Sequence, residues 1–249
     1  MVKDLVLSPR MRWEPSKTAL IIMDMWKEHW CVGATARVAE LAPHMNEATY
    51  ALRKMGLLVI HHPSRGMDHY EGTPMRQRVQ KVPPIEGCIP YVDIRQSDES
   101  REGKFPIDDS DGGCDCAPQC VRAEREAYRS YHQVESITLE EDDAVADGIE
   151  AYFLMRERGI TNMFIMGVHA NMCILNRPVG IRQMVDLGMR VCLIRDLTDT
   201  MYNHRMWPYV SHFHGTNIVI DHIERHWCPT VTSADFIGGE PFHFAQEDV

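Results

Sequence analysis

The feature that most constrains this chain is a repeated alternation of short apolar runs with segments of helical periodicity. Thr18 to Asp24 reads TALIIMD, a β-rich run that ends on a carboxylate. Residues Thr35 to Met55 then place Val38, Leu41, Met45, Ala48 and Leu52 at helical spacing and stop at Gly56, a C-cap signal. Leu57 to Ile60 is a second buried strand. The same alternation returns later in the chain. A helix is predicted over Asp147 to Arg158, a strand over Asn162 to Met166, a helix from about Ile174 to Leu187, and strands at Arg190 to Arg195 and Thr216 to Ile220. Strand–helix–strand order with short connections requires parallel strands and right-handed crossovers. The expected fold class is therefore α/β: a single doubly wound parallel sheet with helices on both faces, in one domain over residues 1–249.

Between residues 65 and 133 the pattern dissolves into Pro, Gly and clustered charge, with some helix expected near Val121 to Tyr131. A long irregular stretch in a compact domain usually has a task, and covering a site is the expectation here.

Composition bounds the partners. The net charge of −10 comes from scattered Asp and Glu, and no basic stripe is present, so nucleic acid is not an expected partner. No apolar run approaches the roughly 20 residues of a membrane helix. The N-terminal residues carry charges throughout and lack the apolar core of a signal peptide. Most of the eight cysteines sit singly in apolar runs, which points to a reducing, cytoplasmic setting.

Chemistry concentrates where strands end. Asp24 closes the first strand, His61 and His62 close the second, and GVHANMC follows the strand at 162–166, placing Cys173 at a strand-to-helix turn. A helix start favours a thiolate and offers free N–H groups for an oxyanion, while a neighbouring carboxylate can take the thiol proton. On position alone, Cys173 is either a nucleophile or one buried cysteine among eight.

The residues LIIMDMW around Asp24, GITNMFIMGVHANMCIL around Cys173 and RVCLIRDLTD after it resemble the isochorismatase-like cysteine hydrolases. That superfamily includes nicotinamidases and N-carbamoylsarcosine amidases, and the similarity covers residues 18–64 and 137–200. The resemblance implies Cys173 as nucleophile, Asp24 as general base, a cis peptide joining Val168 to His169, and an oxyanion hole from the backbone N–H groups of Cys173 and His169.

One member of the family pattern is missing. The family places a catalytic lysine before the helix that precedes the nucleophile strand, and alignment on Gly159-Ile160 without gaps puts Glu140 there. A carboxylate at that place would raise a carboxyl pKa near Asp24 instead of stabilising an oxyanion. Lys81, Lys104 or a nearby arginine could supply the charge. The other outcomes are a different reaction or lost activity. Pro178, five residues past Cys173, removes a helical hydrogen bond and moves the regular helix towards Arg177.

Trp26 and His29 lie beside the expected site and are candidate substrate contacts, although the tryptophans could equally pack the first loop. Asn171 could bind substrate or cap the helix. The nicotinamidase Asp-x-His arrangement is replaced by HHPSRGMDHY, so no catalytic metal is expected. Cys114, Cys116 and Cys120 stand in a C-x-C-x3-C cluster amid aspartates. Three thiols so close suit zinc, a loop disulfide or free thiols, and a fourth ligand is not identifiable from the sequence. No nucleotide-binding glycine loop and no G-x-S-x-G elbow occurs, so no cofactor is expected.

The sequence thus predicts a hydrolase that cleaves a small-molecule amide or related C–N bond through a Cys173 thioester. The alternatives are ether hydrolysis of the isochorismate kind and a ligand-binding protein on an inactivated fold. A homo-oligomer is expected from the habit of the family.

Overall fold

A computed structural model describes residues 5–8, 11–85, 94–125 and 130–245. The chain opens with a small antiparallel hairpin, β1 (Leu5–Ser8) and β2 (Met11–Trp13). The main sheet begins with β3 (Thr18–Met23), followed by the long helix α1 (Val32–Met55), which ends on Gly56 in the left-handed conformation at φ 98°. Next come β4 (Leu58–His62), α2 (Pro74–Gln80), α3 (Glu99–Glu102) and α4 (Arg122–Arg125). The second half contains β5 (Ala144–Val145), α5 (Glu150–Glu157), β6 (Asn162–Val168) and α6 (Ile181–Asp186). It finishes with β7 (Arg190–Asp199), α7 (His212–His226), β8 (Thr230–Val231) and α8 (Ala234–Ile237).

Six strands form one sheet in the order β5-β4-β3-β6-β7-β8, and every pair is parallel. Alternate residues of each strand serve opposite faces, as the pleat requires. Ala19, Ile21 and Met23 of β3 join Met163 and Ile165 of β6 in a core with residues of α5, α6 and α7. Leu20 and Ile22 join Phe164, Met166 and Val168 in a second core under α1 and α8. The doubly wound sheet read from the sequence is the observed one.

Strand order reverses between β3 and β6, because the chain winds outwards from β3 through β4 and β5 and from β6 through β7 and β8. That reversal opens a crevice at the carboxyl ends of the two central strands, where open α/β sheets bind ligands. Asp24 follows β3 and Cys173 follows β6, so the crevice lies between them. Gly167 makes the approach of the two strands possible. It sits at φ 112°, opposite Met23, and a Cβ there would lie 2.2 Å from the Met23 carbonyl oxygen. Only glycine fits.

Two predicted elements are corrected. The segment Thr216 to Ile220 is not a strand but the middle of α7. Its apolar run is short, and Ser211 caps the helix by accepting a hydrogen bond from the His214 N–H, so the residues continue a helical period that began earlier. The helix predicted from Ile174 to Leu187 is broken: a π-helical turn over Ala170–Ile174 is followed by a bend, and α6 starts only at Ile181. Pro178 and Gly180 cause the break. Proline clashes with a preceding α conformation, and a Cβ on Gly180 would meet the carbonyl oxygens of Arg177 and Ile174 at 2.9 Å. Helix near Val121 to Tyr131 is present as α4; residues 126–129 of that prediction lie outside the described residues. No helix among the described residues is long and apolar enough to cross a membrane.

Candidate active site

Asp24 is 1% exposed and takes a left-handed backbone conformation at φ 49°, one that an aspartate tolerates better than most side chains. This turn aims its carboxylate across the switch point, where it meets the Cys173 thiol and the Ser64 hydroxyl. Burial pushes the Asp24 pKa up to about 7; the thiol, the hydroxyl and the charge of Arg177 hold it down, and Asp147 adds to the rise. Neither carboxylate oxygen has a well-formed hydrogen bond among the described side chains, so the group is held in place mainly by packing.

Cys173 lies in the π-helical turn after β6, partly buried at the wall of a cavity of about 320 Å³. Burial pushes its thiol pKa up, the Asp24 charge pushes the same way, and Arg177 opposes both. The lowered thiol pKa anticipated from a helix start is therefore overturned. Pro178 and the π turn remove the regular helix whose dipole would have favoured the thiolate. The resting sulfur is a neutral thiol.

Arg177 was not singled out as a site residue by sequence reasoning, yet it stands one turn after Cys173. Its backbone N–H donates to the Cys173 carbonyl at 3.1 Å, and its guanidinium faces the Cys173 sulfur. Burial alone would lower the Arg177 pKa, but the charges of Cys173, Asp24 and Asp147 raise it, so the cation persists. The signal for it was the spacing of four residues, which puts two helical side chains on one face.

Glu140 does not belong to this cluster. It is exposed, its N–H donates to Asp143 Oδ2 at 2.8 Å, and it borders a surface hollow with Gly56, Leu57 and Ile160, at the amino ends of β4 and β6. The site is at the opposite ends of those strands. Asp147, just beyond β5, is the acidic residue whose charge reaches Asp24. Its place was not legible in the sequence because β5 is only two residues long and gives no strand signal of its own. Lys81 and Lys104 are exposed, and Lys104 lies over the Trp207 ring at 5.3 Å.

His62 completes the floor. It is fully buried, pairs with Ser64 Oγ at 3.1 Å and the Gly148 carbonyl at 3.0 Å, and burial lowers its pKa, so it is neutral near pH 7. The Val168–His169 peptide is cis, as the resemblance implied. The imidazole of His169 is driven down to about 4 by burial, against the pull of Asp199.

Trp26 and His29 both line the cavity. Their rings stack with centroids 5.0 Å apart, and His29 meets His169 edge-on at 5.1 Å. Asn171 is turned away from it. Its amide donates to Asp109 Oδ2 at 2.7 Å and to the Met201 carbonyl at 2.9 Å, and its oxygen accepts from the Met201 N–H at 2.9 Å. With both amide protons used, it pins the loop after β7. From the irregular segment, Arg65, Ile94, Gly112 and Arg122 reach the cavity, so the stretch does cover the site.

No family model matches the sequence, and no curated protein matches it. Solved structures do match in shape. A cysteine hydrolase from Pseudomonas syringae pv. phaseolicola 1448A aligns over 92% of this chain and 96% of its own, with a TM-score of 0.56 and 18% identity. An isochorismatase from Pseudomonas putida KT2440 aligns over 90% of this chain and 92% of its own, with a TM-score of 0.54 and 13% identity. With the doubly wound sheet and its switch point, these alignments establish that the chain has the isochorismatase-like α/β fold.

Proposed function

We propose that the protein is a cysteine hydrolase acting on a small-molecule amide or related C–N bond, with Cys173 as nucleophile and Asp24 as general base. The observation that carries this reading is the meeting of the Cys173 thiol with a buried carboxylate whose pKa is about 7. Such a carboxylate is half ionised at neutral pH. It can accept the thiol proton and then return it, which is what general acid–base catalysis near pH 7 needs.

Cys173 Sγ attacks the substrate carbonyl carbon while its proton passes to Asp24, so the thiolate never has to exist alone in a buried site. The negative charge on the carbonyl oxygen is received by the backbone N–H groups of Cys173 and His169. Asp24 protonates the leaving nitrogen as the C–N bond breaks, which leaves a thioester and an ionised carboxylate. Water then attacks the thioester, Asp24 takes its proton, and sulfur leaves to recover that proton as the acid product departs.

Arg177 fills the electrostatic role of the absent lysine. It offsets negative charge that develops on sulfur and stays protonated throughout, so it takes no part in proton exchange. Arg65 and Arg122 also line the cavity, whose described lining includes no carboxylate, while Trp26 and Trp30 offer flat apolar walls. The tryptophan walls favour a substrate that carries a planar group.

A second reading draws on the same carboxylate. Half protonated at pH 7, Asp24 could protonate an ether oxygen, as isochorismate-type hydrolysis requires, with Cys173 as a bystander. Assaying ammonia or amine release over amides and alcohol or enol release over ethers, with wild type and Cys173→Ala, separates the two. Amide turnover that is lost in Cys173→Ala, together with a thioester mass adduct on wild-type Cys173, supports the amidase; ether cleavage that survives Cys173→Ala, with no amide cleaved, supports ether hydrolysis.

A further inference from the structure

We propose that Cys31, Cys114, Cys116 and Cys120 bind one structural zinc ion as four thiolates. The fourth ligand that the C-x-C-x3-C cluster lacked comes from far along the chain: Cys31, immediately before α1. All four sulfurs lie within 4.8 Å of one another, and Cys31 Sγ and Cys116 Sγ are 3.7 Å apart. A tetrahedral zinc with Zn–S bonds of about 2.3 Å sets its sulfurs roughly 3.8 Å from one another. The observed separation fits that ion. It is far longer than the roughly 2.05 Å of a disulfide bond. A cubane iron–sulfur cluster, whose irons stand between the cysteines, would hold the sulfurs farther apart.

The surroundings suit bound thiolates. Backbone N–H groups of Val32 and Gly33 donate to Cys120 and Cys116 sulfurs at 3.5 and 3.3 Å, and the Cys120 N–H donates to Cys114 at 3.4 Å. Such donors orient metal-bound sulfur and spread its charge. Arg37 stands beside the cluster, its guanidinium shared between Asp199 at 2.7 Å and Asp115, between two of the cysteines, at 3.1 Å. Ala34 and Met201 bury Cys31 and Cys114, while Cys116 and Cys120 stay partly exposed, with Trp30 and Met172 packed against the cluster.

The ion would clamp the irregular segment to the start of α1. Trp30, next to Cys31, and Gly112, two residues before Cys114, line the candidate active-site cavity, and Met172 adjoins Cys173. The clamp sets one wall of that cavity without touching the reacting atoms, and it stands whether or not the chain is an amidase.

Elemental analysis of full-length protein, purified without chelator from zinc-supplemented cells, tests this. One zinc per chain is expected, with Cys31, Cys114, Cys116 and Cys120 protected from alkylation until the metal is removed. Replacement by cobalt(II) should give the intense sulfur-to-metal charge-transfer band of a tetrahedral thiolate site. Combined Cys116→Ser and Cys120→Ser should lose the metal, whereas Cys173→Ser should retain it. Wild-type protein without bound zinc, disulfides among these cysteines in peptide mapping, or equimolar iron would overturn the proposal. If the double variant does not fold, the wild-type cobalt spectrum and the alkylation pattern decide.

Discussion

Arg177 follows Cys173 by one turn, with its N–H on the Cys173 carbonyl at 3.1 Å and its guanidinium against the Cys173 sulfur. The cation and the candidate nucleophile are thus borne by the same turn, and Pro178 ends that turn before the pair can be drawn into a longer helix. If Arg177 stabilises developing charge, Arg177→Gln should lower kcat/KM by roughly 10²–10³-fold, the usual cost of one oriented charge-stabilising donor. Arg177→Lys should keep more activity than Arg177→Gln because it keeps the charge. Steady-state kinetics of the two variants, with circular dichroism to confirm folding, checks this.

Asp24 sets the pH dependence. Its pKa is raised on folding, so between the ordinary carboxylate range and about pH 7 the folded chain holds a proton that the unfolded chain has lost. Stability from this group is therefore full in acid and falls as pH rises through that window. Asp24→Asn should remove this part of the slope and make the protein more stable than wild type at pH 8, while abolishing turnover. Chemical denaturation of both proteins at pH 5 and pH 8 measures it. A functional residue that destabilises its own fold is the expected trade-off.

Gly167 tests the architecture of the switch point. Gly167→Ala would drive a methyl group into the Met23 carbonyl, which rigid parallel strands cannot relieve. A loss of about 3 kcal/mol or more, beyond the usual range for a point substitution, is expected from urea unfolding.

Glu102 anchors the irregular segment on the far side. It is buried, with Arg182 Nη2 at 2.8 Å, His222 Nε2 at 2.9 Å and Trp227 Nε1 at 2.7 Å donating to one oxygen. These donors outweigh burial and hold its pKa at about 2. Its stabilisation is therefore present above the ordinary glutamate range and lost as pH falls towards 2. Glu102→Ala should cost about 3–5 kcal/mol at pH 7, as breaking a buried ion pair does, and less in acid. Thermal unfolding at pH 7 and pH 3 reads the difference.

The frame of the molecule was legible because Thr18 to Asp24 and Asn162 to Met166 are apolar on both faces, the mark of central parallel strands, and Gly56 stops α1 plainly. Asp24 and Cys173 were legible as residues that follow such strands. What escaped depended on contacts without a local period. β5 is too short to announce itself, so Asp147, whose charge reaches Asp24, gave no signal in the sequence. Arg177 was hidden behind Pro178, which reads as a helix breaker and says nothing of the side chain before it. Cys31 joins Cys114, Cys116 and Cys120 only after α1 and the irregular segment have packed, a distance of more than eighty residues in sequence.

The most direct test of the account is the rate of iodoacetamide alkylation at Cys173 against pH, read by peptide mass spectrometry in wild type and Asp24→Asn. If Asp24 takes the thiol proton, the wild-type rate should rise with a midpoint near pH 7, and the variant should lose that rise and react only at strongly alkaline pH. Equal rates and an unchanged midpoint in the two proteins would mean that sulfur and carboxylate exchange no proton, and the proposed mechanism would be wrong.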